Sequence, residues 1–150
     1  MMTELRQRSK NLARIFDQQV GLYEGYARRQ GLNGKCLSIL MWLYYYPRGV
    51  TQNLVSKKTY SSKQVVNATI KKFLDKGYVF FEENPADKRY KKFKLTEEGR
   101  VYASRILDPL EEAEKTALSQ FSLEEQEQLL DLFGRYGQAL TEILGGETND

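Results

Sequence analysis

The stretch SSKQVVNATIKKFLDKGYVFFEENPADKRYKKFKLTEEG, residues 61–99, decides the fold of this 150-residue chain. It opens on serines, which cap helices, and continues with Val66, Ile70 and Phe73 at three- and four-residue spacing. That pattern predicts a helix from Ser61 or Ser62 to Lys76 with those three side chains buried. Gly77 stands where a left-handed helix end is expected. Residues 78–83 and 90–95 then read as two strands of a hairpin, joined by Asn84-Pro85-Ala86-Asp87, because proline suits a turn and is costly inside a strand. Thr96 predicts the cap of a further helix whose first turn holds Glu97 and Glu98, where carboxylates favour the positive helix end.

The charges in this stretch follow the elements. The face of the first helix opposite its apolar stripe carries Lys63, Gln64, Asn67 and Lys71, with Val65 and Ala68 beside them. Between Ser61 and Lys72 there are three lysines and no acids, whereas a merely solvated face would mix glutamates with the lysines. The second half of the hairpin adds Lys88, Arg89, Lys91, Lys92 and Lys94. This order predicts a helix offered to a DNA groove with a basic hairpin next to it.

Upstream, residues 51–58 read as a short helix capped by Thr51, with Leu54 and Val55 inward, and residues 59–61 as the turn of a helix–turn–helix. Residues 35–46 predict a helix with Leu37, Leu40, Met41 and Tyr44 inward, stopped by Pro47-Arg48-Gly49. Leu12, Ile15, Phe16, Val20, Tyr23 and Ala27 predict a long helix over residues 11–29, in which Gly21 and Gly25 allow a close approach by another element. Downstream, the helix opened by Thr96 is expected to reach about Leu118. Ser122 with Glu125 forms a capping box for a last helix ending near Leu144, and residues 147–150 are expected to fray.

Composition bounds the function. Hydrophobic residues make up 41% of the chain, enough for one globular domain and too much for a disordered segment. The longest apolar run, residues 39–46, falls well short of the roughly twenty residues needed to span a bilayer. No charged leader precedes an apolar signal core, so a cytoplasmic protein without membrane attachment is expected. There is no histidine, the usual general base and the commonest metal ligand, and Cys36 is alone. With no paired-carboxylate, phosphate-loop or nucleophile motif, no enzymatic activity, metal or cofactor is expected. Net charge divides as +5 over residues 1–50, +6 over 51–100 and −8 over 101–150, which suits a chain that presents its middle to phosphates.

The helices at the two ends carry more apolar side chains than a small DNA-reading core can cover, among them Ile106, Leu107, Leu110, Leu118, Leu129, Leu130, Phe133, Leu140, Ile143 and Leu144. A second copy of the chain would bury them, and two-fold symmetry would suit palindromic DNA.

Taken together, the chain resembles the MarR family of winged helix–turn–helix transcriptional regulators. The resemblance rests on Asp87-Lys88-Arg89 followed by Leu95-Thr96-Glu97-Glu98-Gly99, similar to the family's wing motif. Phe73-Leu74-Asp75-Lys76-Gly77-Tyr78-Val79 is similar to its recognition-helix exit. The segment Asn53-Leu54-Val55-Ser56-Lys57-Lys58 departs from the family, which more often has a Leu-Ala pair and an acidic residue there. The resemblance implies a mainly α fold with a small β-hairpin wing. A single domain over residues 1–150 would comprise a winged helix–turn–helix over 35–99 and helical dimerisation parts over 11–30 and 100–145. It also implies a homodimer on double-stranded, pseudo-palindromic DNA, with recognition helices in the major groove and wing arginines at the minor groove. Many members are repressors released by small aromatic ligands; others respond to oxidants or metals.

The residue roles follow. Gln64 and Asn67 suit adenine edges, Lys63 and Lys71 guanine or phosphate, and Ser62 can cap its helix and touch a phosphate. Arg89 suits a narrow A·T-rich minor groove, with Asp87 orienting it; a turn salt bridge without a DNA role is the alternative. Lys88, Lys91, Lys92 and Lys94 are phosphate contacts that strand alternation keeps from sharing one face. Tyr23, Tyr26, Trp42 and Tyr45 form a candidate pocket for a small aromatic ligand, or ordinary packing. Cys36 begins the second helix, whereas the family's oxidant-sensing cysteine lies in the first, so inert packing is expected. The expected function is a dimeric, sequence-specific DNA-binding repressor relieved by a small ligand. The alternative is a protein-interaction or nonspecific DNA-binding module on the same scaffold.

Overall fold

Residues 2–145 are described by the computed structural model, apart from the side chains of Met2 and Lys88. The order is α1 (Met2–Arg29), α2 (Gly34–Tyr45), α3 (Gln52–Thr59), α4 (Lys63–Asp75), β1 (Val79–Asn84), β2 (Asp87–Leu95), α5 (Glu97–Ser119) and α6 (Leu123–Leu144). The chain divides into two compact units, one ending at Arg100 and the other beginning at Val101, so the division falls inside α5. The expected tail over 147–150 lies outside the described residues. No described helix is long and apolar enough to cross a membrane.

In the first unit α2 is the hub, packed against α1, α3, α4 and β2. Its N-cap Asn33 accepts from the Cys36 N–H at 2.8 Å. Cys36, Leu37, Ile39, Leu40 and Leu43 are buried. The inward face therefore differs from the expected one, since Met41 and Tyr44 are only half-buried. An apolar helix surrounded on several sides has no single polar face by which periodicity could orient it. Ala27 of α1, Val50, Val55 of α3, Val66, Ile70 and Phe73 of α4, and Val79, Phe93 and Leu95 of the hairpin join this core. Leu54, expected inward, is instead 37% exposed. In an eight-residue helix two adjacent positions point about 100° apart and cannot both face one core.

The helix–turn–helix forms for local reasons. Thr51 Oγ1 accepts from Leu54 N–H and Ser62 Oγ from Val65 N–H, each at 3.1 Å, so each helix starts on a hydroxyl cap. Gly77, at φ +77°, turns the chain out of α4 into β1. Thr96 Oγ1 accepts from Gly99 N–H at 2.9 Å and donates to Gly77 O at 2.7 Å, tying the start of α5 to the end of α4.

Two boundaries depart from expectation by more than a residue. α1 begins at Met2, not at residue 11. Residues 3–10 hold a single large apolar side chain, Leu5, so periodicity is silent there, but they are good helix formers without a breaker. Gly21 and Gly25 allow no close approach within the chain: a Cβ at Gly21 would meet nothing within 4 Å, and one at Gly25 only the Arg29 guanidinium at 3.6 Å. β2 begins at Asp87, so Asp87, Lys88 and Arg89 belong to a strand and not to the turn. The connection shrinks to Pro85-Ala86, with Asn84 Oδ1 accepting from Ala86 N–H at 3.0 Å.

In the second unit Ala103, Ile106 and Leu107 are buried, which removes Ile106 and Leu107 from the expected apolar excess. α6 buries none of its residues. It starts on the expected capping box: Ser122 Oγ accepts from Glu125 N–H at 3.1 Å and Glu125 Oε1 from Ser122 N–H at 2.9 Å. These bonds hold the Glu125 carboxyl below its ordinary value of 4.5, the bond from the Ser122 backbone first. A carboxylate with a depressed folded-state pKa stabilises the fold above its unfolded pKa and loses that contribution as pH falls through the folded value. Glu125→Ala should therefore melt below the parent at pH 7. The gap should narrow as pH falls below about 4, followed by circular dichroism.

Candidate nucleic-acid interface

α4 and β2 stand on two sides of an open cleft of about 710 Å³. One wall carries Lys63, Asn67 and Lys71 of α4; the other carries Arg89, Tyr90 and Lys91 of β2. Ile70, Leu74, Phe81 and Phe93 supply its apolar lining. All of the named cations and Asn67 are exposed. The helix periodicity that buries Val66, Ile70 and Phe73 puts Lys63, Asn67 and Lys71 four residues apart on the other side of α4.

The hairpin sorts its lysines by strand alternation. Phe81 pairs with Phe93, their ring centroids 5.8 Å apart, and the Lys91 ammonium lies 4.7 Å from the Phe81 centroid. Lys91 thus shares the cleft face with both aromatics. Lys92 stands opposite Glu82 in the register, and Lys94 pairs with the Glu82 carboxylate at 3.0 Å. A Cβ on Gly49 would come within 3.1 Å of Lys92 Cβ and 3.2 Å of Lys94, so the loop before α3 covers that opposite face. Lys92 therefore does not line the cleft, whereas Lys91 does.

Near its tip the ladder steps. Glu83 pairs with Lys91, but Asn84 pairs with Asp87, which leaves Lys88, Arg89 and Tyr90 looped out of the regular pairing. Asp87 clamps this excursion: it accepts from Arg89 N–H at 3.1 Å, Nε at 3.0 Å and Nη2 at 3.0 Å. The pairing holds the Asp87 carboxyl below its ordinary value, through the Arg89 side chain first and its backbone second, and raises that of Arg89. Of the five guanidinium N–H donors, Asp87 engages two, and the Arg89 side chain remains 88% exposed. A turn salt bridge and an available arginine are thus the same residue. The Lys88 side chain lies outside the described residues.

Ser62 and Gln64 are exposed at the start of α4 and do not line the cleft; the Ser62 hydroxyl is engaged as the cap. Three residues to which the sequence assigned no DNA contact do line it: Gln52 and Asn53, at the start of α3, and Tyr90. Gln52 Nε2 donates to Asn67 Oδ1 at 3.4 Å, leaving the Asn67 amide NH2 as donor. For Gln52 and Asn53 the signal was present, because the Thr51 cap places both in the first turn of α3.

The aromatic group divides. Trp42 stacks on Tyr46 at 4.7 Å, Tyr45 tilts against Tyr44 at 5.3 Å, and Arg29 lies 5.8 Å from the Tyr26 ring. Tyr23 and Tyr45 are exposed, Tyr26 and Trp42 half-buried. Cys36 is buried, its Sγ 3.6 Å from Thr69 Oγ1, in keeping with packing.

Residues 30–89 match the family model of the MarR family. No curated protein sequence matches the chain. Among solved structures, the complex of MepR from Staphylococcus aureus with DNA is 21% identical over 87% of this chain and 96% of its own, with a TM-score of 0.71. NMB1585, a MarR family regulator from Neisseria meningitidis, is 21% identical over 97% and 96%, with a TM-score of 0.70. The MarR family transcription regulator SP03579 is 19% identical over 97% and 93%, with a TM-score of 0.72. At these identities the likeness is one of fold.

Proposed function

We propose that this chain, whose residues 30–89 match the MarR family model and which folds as a winged helix, is a DNA-binding transcriptional regulator, working as a dimeric repressor relieved by a small aromatic ligand. The observation that carries this reading is the cleft whose two walls offer Lys63, Asn67 and Lys71 from a helix and Arg89 and Lys91 from a strand. An exposed helix with amides and ammonium groups four residues apart fits the major groove, where amides read adenine and cations read guanine or phosphate. A hairpin arginine beside it fits the minor groove.

The dimer is supported by α6, which keeps Leu130, Ile143 and Leu144 69%, 79% and 79% exposed, and by α1, where Ile15, Phe16 and Leu22 are 51%, 54% and 67% exposed. Such apolar area on two long helices is more than a single soluble chain ordinarily leaves in water. The ligand is assigned to Tyr23, Tyr26, Trp42 and Tyr45, amphipathic rings that can stack on an aromatic molecule and bond its polar edge.

Selection of bound sequences from a random duplex pool, at a stated salt concentration, tests the proposal. A two-fold symmetric site should be enriched, with affinity falling as salt rises, and small phenols should weaken binding to it. Weak binding without any enriched sequence would overturn the regulatory reading in favour of a nonspecific module.

A further inference from the structure

We infer that Tyr60, in the turn between α3 and α4, is a DNA-backbone contact in its own right, its hydroxyl donating to a phosphate and its ring lying against the adjoining sugar. The inference rests on the reading that α4 enters a DNA groove.

Tyr60 is the one described residue other than glycine with a positive φ, at 53°, ψ 40°. A Cβ is disfavoured in this left-handed region, and glycine occupies it at less cost. A large side chain in such a position ordinarily compensates by packing. Tyr60 does not, being 91% exposed, more than any other large apolar or aromatic residue described. In the free protein the ring therefore adds strain and gains little burial.

The turn beneath it is held from both sides. Lys35 Nζ, from the start of α2, donates to Thr59 O at 2.9 Å and Tyr60 O at 3.3 Å. Tyr60 N–H and Ser61 N–H both donate to Ser56 O, and Ser56 Oγ donates to Ser61 O at 2.6 Å. Thr59 Oγ1 donates to Val55 O at 2.7 Å. These bonds over-determine the backbone, so the strained residue is kept in place with its ring in solvent. Tyr60 sits two residues before the α4 cap, Ser62. When a recognition helix enters the groove by its N-terminal residues, the turn before it meets the flanking backbone. A phenol supplies an O–H donor, tyrosine is among the side chains that bond phosphate oxygens, and with the backbone held only two side-chain torsions are left to order on contact.

The test uses the full chain and the duplex enriched from the random pool, with thermal melting recorded for each variant. Tyr60→Phe keeps the ring and the turn and should melt like the parent. It should bind on the order of tenfold more weakly, as expected for a lost hydrogen bond to a charged acceptor. Tyr60→Gly should melt higher, because the strain is relieved, and yet bind at least as weakly as Tyr60→Phe. Neither change should alter the salt dependence, since no cation is removed, whereas Lys63→Gln should reduce it. Parental affinity in Tyr60→Phe would overturn the phosphate contact, and parental affinity in Tyr60→Gly the whole inference. Absence of duplex binding by the parent would instead sink the proposed function.

Discussion

Gly99→Ala is expected to destabilise the chain more than the same change at any other described glycine. A Cβ at Gly99 would overlap the Tyr78 carbonyl oxygen and lie 2.7 Å from its carbon and 2.9 Å from Tyr78 Cα. All three are backbone atoms, so no side chain can swing away. Both backbones are also tied: Thr96 N–H donates to Tyr78 O at 2.9 Å, and Thr96 Oγ1 links Gly77 O and Gly99 N–H. The start of α5 is thereby stitched to the root of the hairpin, and separating them breaks that set of bonds together. Forced overpacking of this kind costs about 3 kcal/mol, at the upper end of the usual range. For a chain of this size that corresponds to a melting point lower by about 6–12 °C. A melting point within a degree or two of the parent would show that the contact yields. Any variant that folds should also bind the enriched duplex less well, because the hairpin carrying Arg89 is rooted there.

The second large effect is expected on binding. Arg89→Ala should weaken binding to the selected duplex by roughly tenfold to a hundredfold, the range for removing hydrogen bonds to charged partners. Asp87 already aligns the guanidinium through Nε and Nη2, so little order has to be gained when DNA arrives. Arg89→Lys should fail to restore affinity, because an ammonium cannot bond Asp87 at two points and still present a planar edge. Asp87→Ala should lose less, keeping the cation but not its alignment. If Arg89→Ala binds as tightly as the parent, the hairpin is a stability element and the groove contact lies elsewhere.

Much of the fold was legible because it depends on short-range chemistry. Hydroxyl caps at Thr51, Ser62, Thr96 and Ser122 each accept from a backbone N–H three residues on, a relation complete within four residues of sequence. The buried stripe of α4 and the polar face opposite it follow from one period, and both Lys63 and Lys71 could be assigned by it. The hairpin was less legible. Its second strand was expected from residue 90, since Asp87, Lys88 and Arg89 have turn-like composition, but they enter the ladder with a three-residue step. Register depends on what the partner strand offers, and composition carries no trace of that.

What the sequence by itself determined was the succession of helices and hairpin, the basic character of residues 51–100 and the match of residues 30–89 to the MarR family model. Those properties reside in local caps, periods and charges. Only the tertiary structure decided which cations share a surface. It set Lys91 beside Phe81 in the cleft and Lys92 on the covered side, and left Tyr60 strained and exposed at the turn. Each of these outcomes turns on how a backbone is held by a distant residue, by strand register at positions 83 and 84 or by Lys35 reaching the carbonyls of Thr59 and Tyr60. Such constraints act across space between segments of sequence, which is why no local pattern could announce them.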